Sequence, residues 1–309
     1  VNIEVFLSKQ SVEKFEQKSQ LSSATQLSLT VQGQTFKAQQ WGDPDGKPVL
    51  ALHGWLDNSA SYYRLAPLLK GVKLIALDMA GHGFSDHRVG VRPYSVWEDV
   101  SEIMALADEL GWQRFSLLGH SRGAIISTLA AGTFPERIER LALLEGIWPA
   151  TARVEQAPEQ LAQSILDGQK VRRVKVLPDL PAMIRARLQG IWPLSQASAA
   201  ALTERGVREV DGGYCWSTDS RLMNASAVKL TDAHLDAFTR RLSMPVKLLL
   251  AEEGMLVGEA SFMDKLARYP HIDVCRTPGT HHWHMEEQAP LLADLLNNFF
   301  KLDVELLND

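Results

Sequence analysis

A serine hydroxyl becomes a useful nucleophile when a base takes its proton, an acid orients that base, and the backbone presents the hydroxyl to solvent. The run Gly119-His120-Ser121-Arg122-Gly123 meets the last condition. It lies where an apolar stretch, residues 115–119, passes into a small-residue stretch, residues 122–133. At such a strand-to-helix junction G-x-S-x-G forms a strained turn that lifts the serine out of the sheet edge. A side chain at 119 or 123 would collide with neighbouring elements, so glycine is required at both. Candidate bases are His281, His282 and His284, which stand in residues 279–286. All three could clamp a metal, but adjacent His281 and His282 are expected to point apart, and no carboxylate cluster has the spacing to complete a site. The reading is therefore metal-free and cofactor-free. Candidate acids are Glu145, which closes the apolar run 138–145, and Glu252 and Glu253, which follow the apolar run 246–250. An unpaired charge at the end of an apolar run is costly, which singles out Glu145 as a group in need of a partner.

These residues need a frame to bring them together, and the apolar periodicity supplies one. Residues 27–41 alternate around a VQGQ turn and read as a hairpin; PVLALHG and VKLIALDMAGHG are continuous apolar runs, as in strands buried on both faces. Between them residues 61–69 read as a helix. Ser95 with Glu98 three residues on forms a capping box, Ile103, Leu106, Ala107 and Leu110 share one helix face, and Gly111 stops it. Strand and helix alternate in this way up to residue 150, which predicts an α/β fold with a mostly parallel, roughly eight-stranded sheet, an antiparallel N-terminal edge, and helices on both faces. From Ile147 to Leu242 the strand pattern stops, and Pro149, Pro158, Pro178, Pro181 and Pro193 cut the chain into short helical pieces. This segment holds 13 Lys+Arg against 10 Asp+Glu, net +3, while the remainder is −8. It is read as a helical cap, residues 147–242, inserted in a core made of residues 1–146 and 243–309. Its positive balance suits either an anionic acyl group or a solvated surface. The sheet pattern resumes at PVKLLLA and ends with the amphipathic helix PLLADLLNNFFKL.

Composition removes other classes. The 309 residues carry 32 Lys+Arg and 37 Asp+Glu, net −5, with 45% hydrophobic residues, which fits neither a disordered chain nor a nucleic-acid binder. Cys215 and Cys275 have no CxxC or zinc spacing around them. The N-terminal stretch VNIEVFLSKQ lacks a basic leader region, and no apolar run reaches the ~18 residues of a membrane span, so a cytoplasmic location is expected, with weak association at a membrane surface left open.

HGWLDN at residues 53–58, LDMAGHGFSD at 77–86, GHSRGA at 119–124 and HHWHMEEQAP at 281–290 together resemble the α/β-hydrolase superfamily, in particular its cap-bearing, serine hydrolase-like members. The resemblance spans almost the whole chain. It implies that His281, five residues before Glu286, is the base, with His282 as runner-up. It implies an oxyanion hole from the backbone N–H groups of Trp55 and Arg122. The acid departs from the usual pattern, because Gly254 stands where an aspartate is common after residues 246–250. Glu145, followed by GIWP, resembles instead the glutamate of some haloalkane dehalogenases, giving the triad Ser121, Glu145, His281. Dehalogenases and epoxide hydrolases attack with aspartate, so a serine here implies acyl transfer to water: hydrolysis of an ester or thioester of a small-molecule acyl substrate. Two alternatives share the frame, a C–C bond hydrolase of diketone-like ring-fission products and a catalytically silent binding protein. His53, Trp148, Trp192, Trp216, His282 and Trp283 are candidate pocket residues, and the stretch 211–222 resembles the segment that returns the cap to the core.

Overall fold

In the computed structural model, which describes residues 24–90 and 92–301, side chains alternate across one central sheet. Its strands are β1 (Thr25–Val31), β2 (Gln34–Gly42), β3 (Lys47–Leu52), β4 (Val72–Leu77), β5 (Phe115–His120), β6 (Ile138–Leu144), β9 (Val246–Glu253) and β10 (Ile272–Thr280), in the spatial order β1-β2-β4-β3-β5-β6-β9-β10. β1 and β2 are antiparallel to their neighbours, and the other pairings are parallel. Gln32 and Gly33 at the first turn both have positive φ, 52° and 77°, the geometry of a tight hairpin that follows the strand twist.

Successive residues of a strand point to opposite faces, so a run that is apolar throughout feeds two cores. Leu50, Leu52, Ile75 and Leu77 join one cluster; Val49, Ala51, Leu74 and Ala76 join the other. The first face is covered by α1 (Val96–Glu109) and α2 (Arg122–Thr133), the second by α8 (Ala289–Lys301) through Leu292, Leu296 and Phe300. The two-faced sheet anticipated from the sequence is thus present. Ser95 caps α1 by accepting from the N–H of Trp97, but the expected capping box does not form, because Glu98 pairs with Arg88 at 2.9 Å. The helix expected over 61–69 is instead two 3-10 turns, Ser59–Tyr62 and Ala66–Leu68, with Pro67 within the second. The N-terminal stretch that was read for a leader lies outside the described residues.

Between β6 and β9 the chain leaves the sheet and forms α3 (Ala157–Gly168), α4 (Leu180–Leu188), α5 (Gln196–Gly206), a small hairpin of β7 (Val207–Val210) and β8 (Gly213–Trp216), and α6 (Asp232–Arg240); α7 (Ala260–Leu266) follows β9. This inserted, largely helical region forms the cap. The hairpin turns at Asp211-Gly212 and, among the described residues, pairs with itself and Leu177 alone; its strands are four residues each, too short to mark a long apolar run in the sequence. Several cap cations are docking groups. The Arg205 guanidinium holds both oxygens of buried Asp78 at 2.9 and 3.0 Å, and Arg221 donates to the backbone carbonyls of Arg88 and Gly90. No described helix is long and apolar enough to cross a membrane.

Candidate active site

Ser121 stands between β5 and α2 with φ 51° and ψ −115°, a conformation L-residues adopt at a cost of about 1–3 kcal/mol. Its N–H donates to the carbonyl of Leu144 at 2.8 Å. The flanking glycines permit this by close approach. A Cβ at Gly119 would lie 2.5 Å from the Cα of Ala124, and one at Gly123 would lie 2.0 Å from the carbonyl oxygen of Leu52 and 2.7 Å from that of His53. The turn is therefore pressed against the end of β3 and the loop that follows it. Arg122 opens α2, where a backbone N–H has no helical acceptor. Its side chain is drawn away to Asp99, which also receives Arg88.

Glu145, immediately after β6, also has a positive φ, 50°, and is buried. Its Oε1 accepts from the N–H of Ala251 at 2.8 Å; its Oε2 accepts from the N–H of Met255 at 2.9 Å and faces His281 Nδ1 at 3.2 Å. The residue missing from the usual acid position explains the space: a Cβ at Gly254 would lie 2.2 Å from Glu145 Oε2. The carboxylate from β6 fills the volume that a side chain at 254 would enter. Glu252 and Glu253, by contrast, are exposed. With a proton on Nδ1 directed at Glu145, a neutral His281 carries its lone pair on Nε2. The Trp192 ring from the cap lies on His281, centroids 5.0 Å apart.

The other histidines have different partners. His282 Nε2 is 3.2 Å from Asp57 Oδ2, and Arg187 of α4 donates to Asp57 Oδ1 and, at 3.1 Å, to the carbonyl of Leu56. Burial raises the Asp57 carboxyl, but His282 and Arg187 outweigh it and hold the group well below the usual carboxylate range. His120 Nε2 donates to the carbonyl of His281 at 2.9 Å; burial, reinforced by the neighbouring imidazoles, holds its pKa well below that of free imidazole. His284 pairs with Ser61 Oγ at 2.7 Å and is likewise held neutral by burial. The expectation that His281 and His282 diverge is met only in part. They turn to different carboxylates, yet their rings are 5.0 Å apart, and with His120 they offer nitrogens within 4.8 Å of one another. These three are where a metal could be held, although one nitrogen of each ring already faces an oxygen.

A cavity of about 930 Å³ opens beside Ser121 and Glu145, walled by Ile125, Trp148, Leu256 and Phe262, with Lys265 and Asp232 joined at 2.6 Å in its lining. Of the candidate pocket residues, Trp148 lines this cavity and Trp192 covers His281. Trp283 is not part of this cavity's wall. It is wholly buried in the second core cluster, its indole N–H donating to Thr277 at 2.8 Å. Trp216 is on β8 beside Gly206. His53 is buried beneath the loop, its Nδ1 on the carbonyl of Gly54 and its Nε2 accepting from the N–H of Met79. Trp55 is exposed at 45%, and its indole donates to the carbonyl of Leu222 in the cap. Asp57, Arg187 and His120 were not picked out by sequence reasoning. Asp57 is 130 residues from Arg187 and 225 from His282, so no local spacing could signal the group.

A two-faced sheet carrying an inserted cap, with a strained serine after its central strand, defines an α/β hydrolase. The model of the alpha/beta hydrolase fold matches residues 47–289, and the chain belongs to that family. It is 30% identical over 298 residues to serine hydrolase-like protein 2 of Homo sapiens, covering 90% of this chain and 94% of that one. It is 29% identical to the serine hydrolase-like protein of Danio rerio over 89% of each. Among solved structures, a hypothetical protein of Pseudomonas aeruginosa PAO1 is 42% identical with a TM-score of 0.87 over 89% of this chain and 99% of that one. The thioesterase domain from the curacin biosynthetic pathway is 26% identical with a TM-score of 0.80 over the same shares.

Proposed function

We propose that this chain is a serine hydrolase that cleaves a carboxylic ester or thioester through Ser121, His281 and Glu145. The observation that carries the reading is the Glu145 carboxylate, buried, held by two backbone N–H groups, facing His281 Nδ1, and occupying the space left by Gly254. Likeness to a thioesterase domain supports thioesters alongside esters.

In the first half-reaction the Ser121 oxygen attacks the carbonyl carbon while its proton passes to His281 Nε2. The developing oxyanion would be held by the backbone N–H groups of Arg122 and Trp55, a reading supported by the close packing of Gly123 on the 52–53 backbone. Glu145 stabilises the imidazolium and keeps the ring in its reactive tautomer. His281 then protonates the departing alcohol or thiol, leaving an acyl-Ser121 ester. Water repeats the sequence, its proton going to His281, and the acid product leaves. The cavity walled by Ile125, Trp148 and Phe262 would take the apolar part of a small-molecule acyl substrate. The unpaired thiols Cys215 and Cys275 suit a cytoplasmic place of action.

A fluorophosphonate probe tests the nucleophile. Labelling of the wild type, lost in Ser121→Ala together with turnover of a small activated ester, is the expected result. Absence of labelling in the wild type beside a reactive control hydrolase would overturn the reading in favour of a binding protein. Labelled protein that leaves esters and thioesters intact but cleaves a vinylogous diketone would instead assign C–C bond hydrolysis.

A further inference from the structure

Helix α3 is turned inside out relative to an ordinary surface helix. Its inward positions, spaced by four and three residues, are Gln160, Ser164 and Asp167. Gln160 donates to the carbonyl of Ser226 at 2.5 Å, and Asp167 accepts from the N–H of Ala225 at 3.0 Å, so the polar face is what fastens α3 to the cap. The outward face carries Leu161, Ile165 and Leu166, the last two 54% and 56% exposed. The chain that follows continues the theme: Val171 (94% exposed), Val174 and Val176 are exposed in residues 170–176, which hold no acidic residue; Lys170 pairs with Asp167 at 2.5 Å and Arg172 donates to Asn224 at 2.7 Å, so Arg173 and Lys175 are the exposed cations beside the valines. A helix that buries polar groups and shows leucine and isoleucine to water, continued by alternating valines and cations, is organised for an apolar phase bordered by negative charge.

We propose that this face, α3 with residues 170–176, docks on a lipid bilayer surface containing anionic headgroups. The apolar side chains would enter the headgroup and acyl boundary while the cations meet lipid phosphates. The charges argue against a second copy as the occupant. A two-fold dimer through this face would set Arg173 and Lys175 against their own counterparts. The basic stretch 170–176, on a chain of net −5, would offset long-range repulsion from an anionic membrane where contact is made. The attachment needs no rearrangement, because Gln160 and Asp167 already present the apolar side outward.

The test is co-sedimentation of the full chain with vesicles of phosphatidylcholine alone and of phosphatidylcholine with about 30% phosphatidylglycerol, at about 0.1 M salt. Binding to the anionic vesicles, weaker on the neutral ones and weakened by added salt, is expected. Arg173→Gln/Lys175→Gln should lower the partition coefficient by about 25-fold, at roughly fivefold per basic residue. Ile165→Glu/Leu166→Glu should abolish binding; both positions face solvent, so circular dichroism and thermal unfolding should remain those of the wild type. Absence of binding to anionic vesicles, or binding that survives both double variants, overturns the proposal. So does a concentration-dependent dimer in analytical ultracentrifugation that Ile165→Glu/Leu166→Glu dissolves, since the face would then belong to a second copy.

Discussion

Replacing Glu145 by glutamine preserves size and removes the charge. In the folded protein each carboxylate oxygen is used: Oε1 by Ala251, Oε2 by Met255 and His281. An amide has one acceptor oxygen, so either orientation sets an NH₂ against a backbone N–H. With the NH₂ toward Met255, His281 must also accept at Nδ1, which moves its proton to Nε2 and removes the lone pair with which it would take the Ser121 proton in the proposed reaction. With the NH₂ toward Ala251 the tautomer survives, but one buried N–H loses its acceptor, costing about 1–3 kcal/mol of stability. The larger effect is on the imidazolium. Unit charges 3.2 Å apart at an effective dielectric of about 20 attract by about 5 kcal/mol, or nearly four decades in rate. The amide dipole keeps part of this, so kcat should fall by about 10³ to 10⁴. Single-turnover acylation and steady-state deacylation of an activated ester should both slow, since each passes through imidazolium. A relocation experiment sharpens the point. Glu145→Ala vacates the volume beside Gly254, whose φ is not left-handed, so Glu145→Ala/Gly254→Asp should recover part of the rate lost in Glu145→Ala, whereas Gly254→Asp alone should collide with Glu145. Near wild-type kcat in Glu145→Gln across about pH 6 to 9, with collapse in Glu252→Gln or Glu253→Gln, would refute the reasoning and move the acid to the exposed end of β9.

Arg187→Ala should strand the Asp57 carboxylate beside His282 and free the loop carrying Trp55, lowering stability by about 2–4 kcal/mol in urea unfolding and kcat more than KM; a double-mutant cycle with Asp57→Asn that shows no coupling would remove Arg187 from this role. His53, His82, His120 and His284 are each held below the free value of 6.5, in the first place by burial. The unfolded chain therefore binds protons that the folded chain refuses, and each ring removes up to about 1.4 kcal/mol of stability per pH unit below about 6.5. Asp57, whose folded pKa is depressed, contributes stability that is lost only as pH falls below its free value of 3.8. Calorimetry should thus find Tm falling between about pH 6.5 and 5, and a flat profile there would mean that these imidazoles are not kept neutral.

The sheet, the strained turn at Ser121 and the inserted region were legible in the sequence because each is encoded over a short span. Val49 to Leu52 reads as a two-faced strand from four residues, and Gly119 to Gly123 reads as a turn from five, since sterics at a strand-to-helix junction leave glycine little substitute there. The same locality made Glu145 visible as a charge closing an apolar run. Its partners were not visible: Ala251 and Met255 lie 106 and 110 residues away, and only the folded chain shows that the carboxylate fills the gap left by Gly254. Trp283, between His282 and His284, reads as a pocket residue from the sequence, but the 3-10 turn Trp283–Met285 after β10 sets its ring in the second core cluster. The basic cap could be read as anion-binding or solvated, and tertiary structure divided its charges, directing Arg187 and Arg205 into buried docking pairs and leaving Arg173 and Lys175 at the surface beside exposed valines. Periodicity specifies which face of an element is apolar, but what that face meets depends on residues far along the chain. For α3 the structure set the polar face inward and the apolar face out, a reversal that only the fold could decide.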